Sequence, residues 1–124
     1  MKITIVSVGK VKEKFYRDAI AEYEKRLSRY CKFQIVEVAD EKTPDKASAL
    51  EEEQIKEKEA DRILSHIKED AMVITLEIAG NKLDSVSFAE LLKQKSVYGV
   101  SHIQFVIGGS LGLHKKVSEQ EGMV

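Results

Sequence analysis

The feature of this sequence that most constrains its fold is a short apolar run that stops abruptly at two glycines. Residues 103–107 read IQFVI, Gly108 and Gly109 follow directly, and Gly112 comes three residues later. A run of this kind, bounded by glycine, indicates a strand buried on both faces of a parallel sheet. Open α/β sheets bind ligands beyond the carboxyl ends of their strands, and glycine lets a ligand approach the backbone closely. The pattern fits a tight strand-to-helix turn without a ligand equally well.

Strand and helix patterns alternate through the rest of the chain. Apolar, β-branched runs predict three further strands, at residues 2–8, 33–38 and 71–78. Apolar residues at three- and four-residue steps predict helices at about residues 13–30, 48–67 and 85–99. This repeated strand–helix order predicts an α/β layer fold with right-handed crossovers. A chain of 124 residues fits a single domain, spanning residues 1–124.

Capping residues and apolar stripes define the predicted helices more closely. Ser48 is predicted to cap the second helix with Glu51 as its capping-box partner, and Ser85 or Ser87 to cap the third. The first helix carries a stripe whose tyrosines we interpret as core or interface residues: Phe15 or Tyr16, Ile20, Tyr23, Leu27 and Tyr30. The second helix is predicted to expose its charged first half and to bury Ile55, Ala60, Ile63, Leu64 and Ile67.

Composition and charge argue against several classes of protein. No apolar run is long enough to span a bilayer and the first residues do not resemble a signal peptide, so a cytoplasmic protein is expected. The single cysteine, Cys31, excludes an internal disulfide, and no Cys/His cluster has the spacing of metal ligands. The net charge of −1 does not indicate a nucleic-acid binder, although local basic clusters leave RNA open as a partner.

Several catalytic and nucleotide-binding motifs are missing from the sequence. No G-x-G-x-x-G follows the first strand, and neither G-x-x-x-x-G-K-[ST] nor G-x-S-x-G occurs. We interpret Ser110 as a turn or capping residue, and His114, although better placed for a ligand than His102, as a surface residue.

Two predicted strands end in glycine, one at Gly80 and one at Gly108 and Gly109, and these strand exits remain as candidate ligand sites. They could present backbone to a flat, partly apolar ligand. With apolar contacts from Leu76 and Ile107, such exits suit a nucleoside cofactor.

Five segments, in order along the chain, resemble one known family. They are residues 8–10 (VGK), 22–27 (EYEKRL), 40–42 (DEK), 57–64 (EKEADRIL) and 105–110 (FVIGGS). Together they cover the chain from its start to about Val117. They are similar to the ribosomal RNA large subunit methyltransferase H type (RlmH) of the SPOUT superfamily. The resemblance implies a SPOUT-type, Rossmann-like parallel sheet flanked by helices.

The resemblance also implies an activity, a cofactor and partners. It implies methyl transfer from S-adenosyl-L-methionine to N3 of a pseudouridine in 23S rRNA, on the assembled ribosome, by a homodimer. Leu76 and Gly108 match family positions that contact S-adenosylmethionine. The resemblance identifies no catalytic base in this chain.

The chain departs from the family after Gly112 and Leu113. There the family continues through a further strand and helix that close a trefoil knot, complete the cofactor pocket and supply much of the dimer interface. Residues 115–124 are instead a polar tail, in which we expect no strand or buried helix. We therefore expect the knot to be incomplete, cofactor binding to be weak and methylation to be poor.

Two other hypotheses remain at this point. One is a non-catalytic remnant that still dimerises or contacts the ribosome through Lys10, Lys25, Arg26 and Arg29. The other is an unrelated small α/β nucleotide-binding domain. Ribosome binding that depends strongly on salt and occurs without methyl transfer would favour the first. Stabilisation by ATP or a flavin, with no response to S-adenosylmethionine, would favour the second.

Overall fold

The computed structural model describes residues 1–77, 82–109 and 111–118. Within them, strands and helices alternate as predicted, around one four-stranded parallel sheet. The strands are β1 (Lys2–Val8), β2 (Lys32–Val38), β3 (Met72–Leu76) and β4 (His102–Ile107). The helices are α1 (Lys14–Leu27), α2 (Ala49–Leu64), α3 (Ser85–Val97) and α4 (Lys115–Ser118). The α/β fold with a parallel sheet is confirmed.

The sheet has the strand order β2-β1-β4-β3. β1 therefore pairs with β2 on one side and with β4, from the other end of the chain, on the other. The register places Ser7 opposite Ile107, so the carboxyl ends of β1 and β4 lie at the same edge. The connection after β1 leads to β2 on one side, and the segment after β4 leaves from the same edge directly beside it. Ligands of open α/β sheets bind beyond the carboxyl ends of the strands.

The face of the sheet covered by α2 carries the larger hydrophobic core. Val6 and Val106, paired across β1 and β4, are fully buried there with Ala60 and Ile63 of α2. The other residues of the predicted α2 stripe, Ile55, Leu64 and Ile67, are partly buried. Helical spacing thus identified the buried face of α2, and no charged residue in the first half of the helix, 49–56, is buried, as predicted.

The start of the polar tail packs against this face, contrary to expectation. Val117, in the single-turn helix α4, is fully buried in the core under α2. Lys116 beside it lies 2.8 Å from a carboxylate oxygen of Asp61 and 3.3 Å from one of Glu57. The expectation of no buried helix in the tail is therefore wrong for residues 115–118. One valine among polar residues is too short a pattern to predict a helix, and ion pairs to α2 hold the segment in place.

Of the two predicted helix caps, the one for α2 is confirmed and the one for α3 is wrong. The capping box of α2 is confirmed, because the Ser48 hydroxyl accepts the N–H of Glu51 and the Glu51 carboxylate accepts the N–H of Ser48. The caps predicted for α3 are wrong, since Asp84 caps that helix by accepting the N–H of Ser87 at 2.7 Å. This hydrogen bond lowers the pKa of Asp84. A carboxylate at the N-cap satisfies the same free N–H as a serine, and it also carries the charge that a helix N-terminus favours.

The other face of the sheet is only partly covered. α3 packs there through Leu92 and through Phe88, whose ring lies 5.8 Å from that of Phe105. Between α1 and α3 an open apolar groove of about 890 Å³ exposes side chains of β1, β2 and β4. The residues from the sheet that line it are Ile3, Ile5, Ser7, Val8, Phe33, Ile35, Glu37, Phe105 and Ile107.

The predicted burial of the α1 stripe is wrong. No residue of α1 is buried, and Phe15, Tyr16, Tyr23 and Tyr30 are all exposed. α1 contacts the edge strand β2, and Ile20, Tyr23 and Leu27 of its stripe line the open groove over the sheet rather than a closed core. The interpretation of these tyrosines as core residues therefore fails, whereas a role at an interface stays a prediction.

His102 is a buried residue of the sheet rather than a residue preceding it. It is the first residue of β4, and its Nε2 lies 2.9 Å from the hydroxyl oxygen of Thr4 on β1. Burial lowers the pKa of His102, and the positive charge of Lys2 lowers it further. The pair joins the two central strands at the amino edge of the sheet, opposite the glycine loop.

Replacing His102→Gln is expected to reduce the acid sensitivity of folding. The folded chain holds the pKa of His102 below its ordinary 6.5, so the unfolded chain binds this proton more tightly. The stability that this pKa difference contributes is present while His102 is neutral in both the folded and the unfolded chain. It is lost as the pH falls through the pKa that His102 has in the folded chain. Gln stays neutral and places an amide near the Nε2 position. The free energy of unfolding in urea, measured from about pH 8 to about pH 5, should fall less for the variant.

The control for this prediction is His66→Gln, which changes an exposed histidine just after α2. Its unfolding free energy should follow that of the unchanged chain over the same range. Equal falls for His102→Gln and the unchanged chain would contradict the prediction.

Candidate cofactor-binding loop and the cavity beside it

In the glycine loop after β4, the described residues on either side of position 110, 108–109 and 111–112, lie close together. A Cβ on Gly108 would lie 2.9 Å from the backbone carbon of Gly112 and 3.0 Å from its oxygen. The N–H of Gly112 donates to the carbonyl oxygen of Gly109 at 3.0 Å, and Gly112 has a positive φ of 83°. Since backbone atoms occupy the Cβ position of Gly108, only glycine fits there without moving the loop.

Leu76 and Gly108, the predicted cofactor contacts, lie on neighbouring strands at the same edge of the sheet. Leu76 is the last residue of β3, and it pairs in register with Ile107, the residue directly before Gly108. Leu76 is 52% exposed and Ile107 is 39% exposed. Registered residues of parallel strands point to the same face, so these two large side chains form an exposed apolar surface beside the loop. Gly80 and Ser110 lie outside the described residues.

On the other side of the glycine loop lies a buried acid that the sequence interpretation missed. Glu59 of α2 is only 5% exposed. Its Oε2 accepts the backbone N–H of Glu41 in the β2–α2 loop at 3.0 Å. Its two carboxylate oxygens lie 3.1 and 3.2 Å from the position of a Cβ on Gly109. A sequence signal did exist, because Glu59 stands four residues from both Ile55 and Ile63, within the apolar stripe of α2.

A cavity of about 620 Å³ lies between these groups, at the carboxyl ends of β1 and β2. Lysine and carboxylate side chains line it together with the backbone of Gly109, and its charged residues are Lys10, Lys12, Glu37, Asp40, Glu41 and Glu59. The cavity therefore offers hydrogen-bond donors and acceptors of both charges on one side of the glycine loop. The apolar pair on β3 and β4 lies on the other side.

His114 has partners within the chain at both ring nitrogens. Its Nδ1 accepts the N–H of Lys116 at 3.1 Å, and its Nε2 lies 3.4 Å from a carboxylate oxygen of Glu53 on α2. The side chain is mostly buried. His114 thus fixes the segment after the glycine loop to α2. The prediction that His114 is a surface residue is wrong, because its side chain is mostly buried. A ligand at His114 would have to displace its contacts with Lys116 and Glu53.

Among residues 1–77, 82–109 and 111–118, no group of three or more His, Cys, Asp or Glu side chains could hold a metal ion. In the same part of the chain, no helix is both long enough and apolar enough to cross a membrane.

This combination of parallel sheet and glycine loop belongs to a known class of enzymes. The family described as predicted SPOUT methyltransferase matches residues 1–123, so the chain belongs to the SPOUT methyltransferase family. This confirms the resemblance noted from the sequence, and the family implies a methyl-donor cofactor.

Individual relatives narrow the class to one type of enzyme. The chain is 61% identical to "Ribosomal RNA large subunit methyltransferase H" of Bifidobacterium adolescentis, over 91% of this chain and 71% of the relative. It is 57% identical to the protein of the same name from Clostridium tetani, over 94% of this chain and 74% of that protein. With the protein of that name from Streptococcus sanguinis, identity is 52% over the whole of this chain and 78% of the relative.

Replacing Gly108→Ala is expected to open the glycine loop. The new Cβ would meet backbone atoms of Gly112, and backbone cannot turn away as a flexible side chain can. The hydrogen bond from Gly112 to Gly109 should therefore weaken, and the Gly112 amide should exchange with solvent roughly tenfold faster. Amide hydrogen exchange on the folded variant measures this.

The matched control is Gly99→Ala, after α3. At Gly99 nothing lies within 4 Å of the Cβ position, but φ is +93°. Alanine there strains the backbone by about 1–2 kcal/mol without touching the loop. Its Gly112 amide should exchange at the unchanged rate, and an unchanged rate for Gly108→Ala as well would contradict the prediction.

Proposed function

We propose that this chain transfers a methyl group from S-adenosyl-L-methionine to N3 of a pseudouridine in 23S rRNA on the assembled ribosome. The observation that carries the proposal is the exposed apolar pair Leu76 and Ile107, which stands beside the glycine loop at Gly108. Membership of the SPOUT family supplies the reaction class, and the names of the relatives supply ribosomal RNA as the substrate.

The residues at this edge fit the chemistry of the proposed cofactor. Leu76 and Ile107 offer apolar contact to a flat adenine ring, and the backbone of residues 107–109 can approach a ligand without a Cβ at Gly108. S-adenosylmethionine would supply an electrophilic methyl group on its sulfonium sulfur. The contribution of this chain is to bind and orient that donor, because methyl transfer depends mainly on holding donor and acceptor in line.

The basic residues considered for RNA contact fall into two groups in the structure. Lys25, Arg26 and Arg29 lie together near the carboxyl end of α1, where the chain returns to the amino edge of β2. Arg26 there also pairs with Glu22 at 3.1 Å. Lys10, by contrast, lines the cavity beside Gly109. We propose that Lys10 is close to the reacting nucleotide and that the α1 group contacts phosphates farther away.

A homodimer in the cytoplasm completes the proposal. The open apolar groove between α1 and α3 and the exposed tyrosines of α1 support a second copy as its occupant, since exposed apolar patches of this size mark interaction sites. Sedimentation velocity tests this point. A monomer at all concentrations, including tens of micromolar, would overturn the homodimer.

The activity is tested with ribosomes from a strain that lacks the methylation. The 124-residue chain, in excess, is incubated with these ribosomes and with S-adenosylmethionine carrying a labelled methyl group, and the label is located in the rRNA. Label on N3 of one pseudouridine in 23S rRNA is the expected result. Label on another nucleotide would overturn the proposed target. Salt-sensitive ribosome binding without any label would establish the non-catalytic remnant instead.

Replacing Leu76→Gln is expected to weaken binding of S-adenosylmethionine. The substitution removes an exposed apolar contact without disturbing the core, so the dissociation constant should rise roughly tenfold. Isothermal titration calorimetry measures both chains. Equal dissociation constants for the two chains would contradict the prediction.

The control is Val97→Gln, at the end of α3, which changes a side chain that is even more exposed. Its affinity should equal that of the unchanged chain. If both variants lose affinity equally, Leu76 has no specific role in the site.

A further inference from the structure

We propose that Glu59 is a positioning residue that joins the glycine loop to the β2–α2 loop, residues 39–48, and so holds the cofactor site and the neighbouring cavity in one arrangement. The proposal rests on the proposed function, because it takes the glycine loop as the loop that binds the methyl donor.

Helix packing alone does not account for Glu59. Its neighbours in the α2 stripe are Ile55 and Ile63, and a leucine at position 59 would bury more apolar surface without removing a carboxyl group from water. The other described polar residues that are buried, Thr4, His102 and Gln104, have partners within the sheet or next to it. Glu59 instead reaches out of the core towards two loops.

One carboxyl group contacts both loops. Its Oε2 accepts the N–H of Glu41 at 3.0 Å, which fixes the start of the β2–α2 loop. Both oxygens lie 3.1 and 3.2 Å from the position that a Cβ on Gly109 would take, so an alanine there would require the carboxyl group to shift by a few tenths of an ångström. Glycine is therefore the residue that leaves Glu59 in place, and a shift of the glycine loop towards α2 would displace the acceptor of the Glu41 N–H.

Arg62 holds the β2–α2 loop to α2 independently of Glu59. One turn farther along α2, it donates to the carbonyl oxygen of Ala39 at 2.9 Å and forms an ion pair with Glu41. These contacts hold the β2–α2 loop to the helix whatever the glycine loop does. Glu59 adds the connection to Gly109, so its loss should leave the β2–α2 loop attached but no longer coupled to the cofactor loop.

The coupling matters because the cavity is built from both loops. Asp40 and Glu41 come from one, Gly109 from the other, and Glu59 lies between them. A methyltransferase must hold donor and acceptor in line, and a displacement of about 1 Å can cost about a hundredfold in rate. A carboxyl group that fixes two loops at once provides that precision on the side of the site away from Leu76.

The first test needs no cofactor. Gly109→Ala should push the Glu59 carboxyl group away from the Glu41 N–H, and the Glu41 amide should then exchange with solvent roughly tenfold faster. In a Glu59→Ala background that amide already exchanges fast, so adding Gly109→Ala should change its rate by less than about twofold. An unchanged Glu41 rate in the Gly109→Ala single variant would overturn the proposal.

The second test measures the affinity for S-adenosylmethionine. Glu59→Ala should raise the dissociation constant roughly tenfold, whereas Glu59→Gln, which keeps an oxygen for the Glu41 N–H, should stay within about threefold of the unchanged chain. Ile63→Val is the matched control, because it loosens the same contact between helix and sheet without touching either loop. Equal affinity losses in Glu59→Ala and Ile63→Val would show a merely structural role and overturn the proposal.

The two tests separate this proposal from the proposed function. If the unchanged chain binds no S-adenosylmethionine, the cofactor assignment fails, while the exchange of the Glu41 amide still decides whether Glu59 couples the loops. If the unchanged chain binds the donor and Glu59→Ala binds it equally well, the positioning role fails and the cofactor assignment stands.

Discussion

The pairing of β1 with β4 is the interaction on which the rest of the structure depends. These strands lie almost a hundred residues apart in the sequence and form the centre of the sheet, with Val6 and Val106 paired and fully buried. Their register brings the glycine loop to the edge where β1 and β2 also end. This pairing brings the strand ends together and so creates both sides of the candidate site. One side is the apolar pair at the ends of β3 and β4, and the other is the charged cavity at the ends of β1 and β2.

Much of the fold could be predicted from the sequence, because local patterns determine it. The four strands, the capping box at Ser48 and the buried side of α2 followed from periodicity and capping chemistry, which act over a few residues. Leu76 and Gly108 came from a family resemblance, and the structure places them on adjacent strands at one edge. The strand order required more than local pattern, since parallel pairing depends on contacts between distant segments.

The sequence did not reveal which polar side chains are buried in the core or which apolar side chains are exposed. Gln104 sits within an apolar strand because its side-chain amide accepts the N–H of Lys68 and donates to the carbonyl of His66. Glu59 is buried because a loop N–H lies against its carboxylate. The exposed tyrosines of α1 show the reverse, since a helical stripe reveals which side is apolar and not whether anything in the same chain covers it.

The strand order also determines when the sheet can be completed during synthesis. β1 is among the first residues made, and β2 can pair with it early, but its other neighbour is β4, the last strand among the described residues. Until residues 102–107 emerge, one edge of β1 has no partner. Unpaired strand edges invite association with other chains. Completion of the sheet therefore waits for residues 102–107, and until then the nascent chain carries an edge with which another chain can pair.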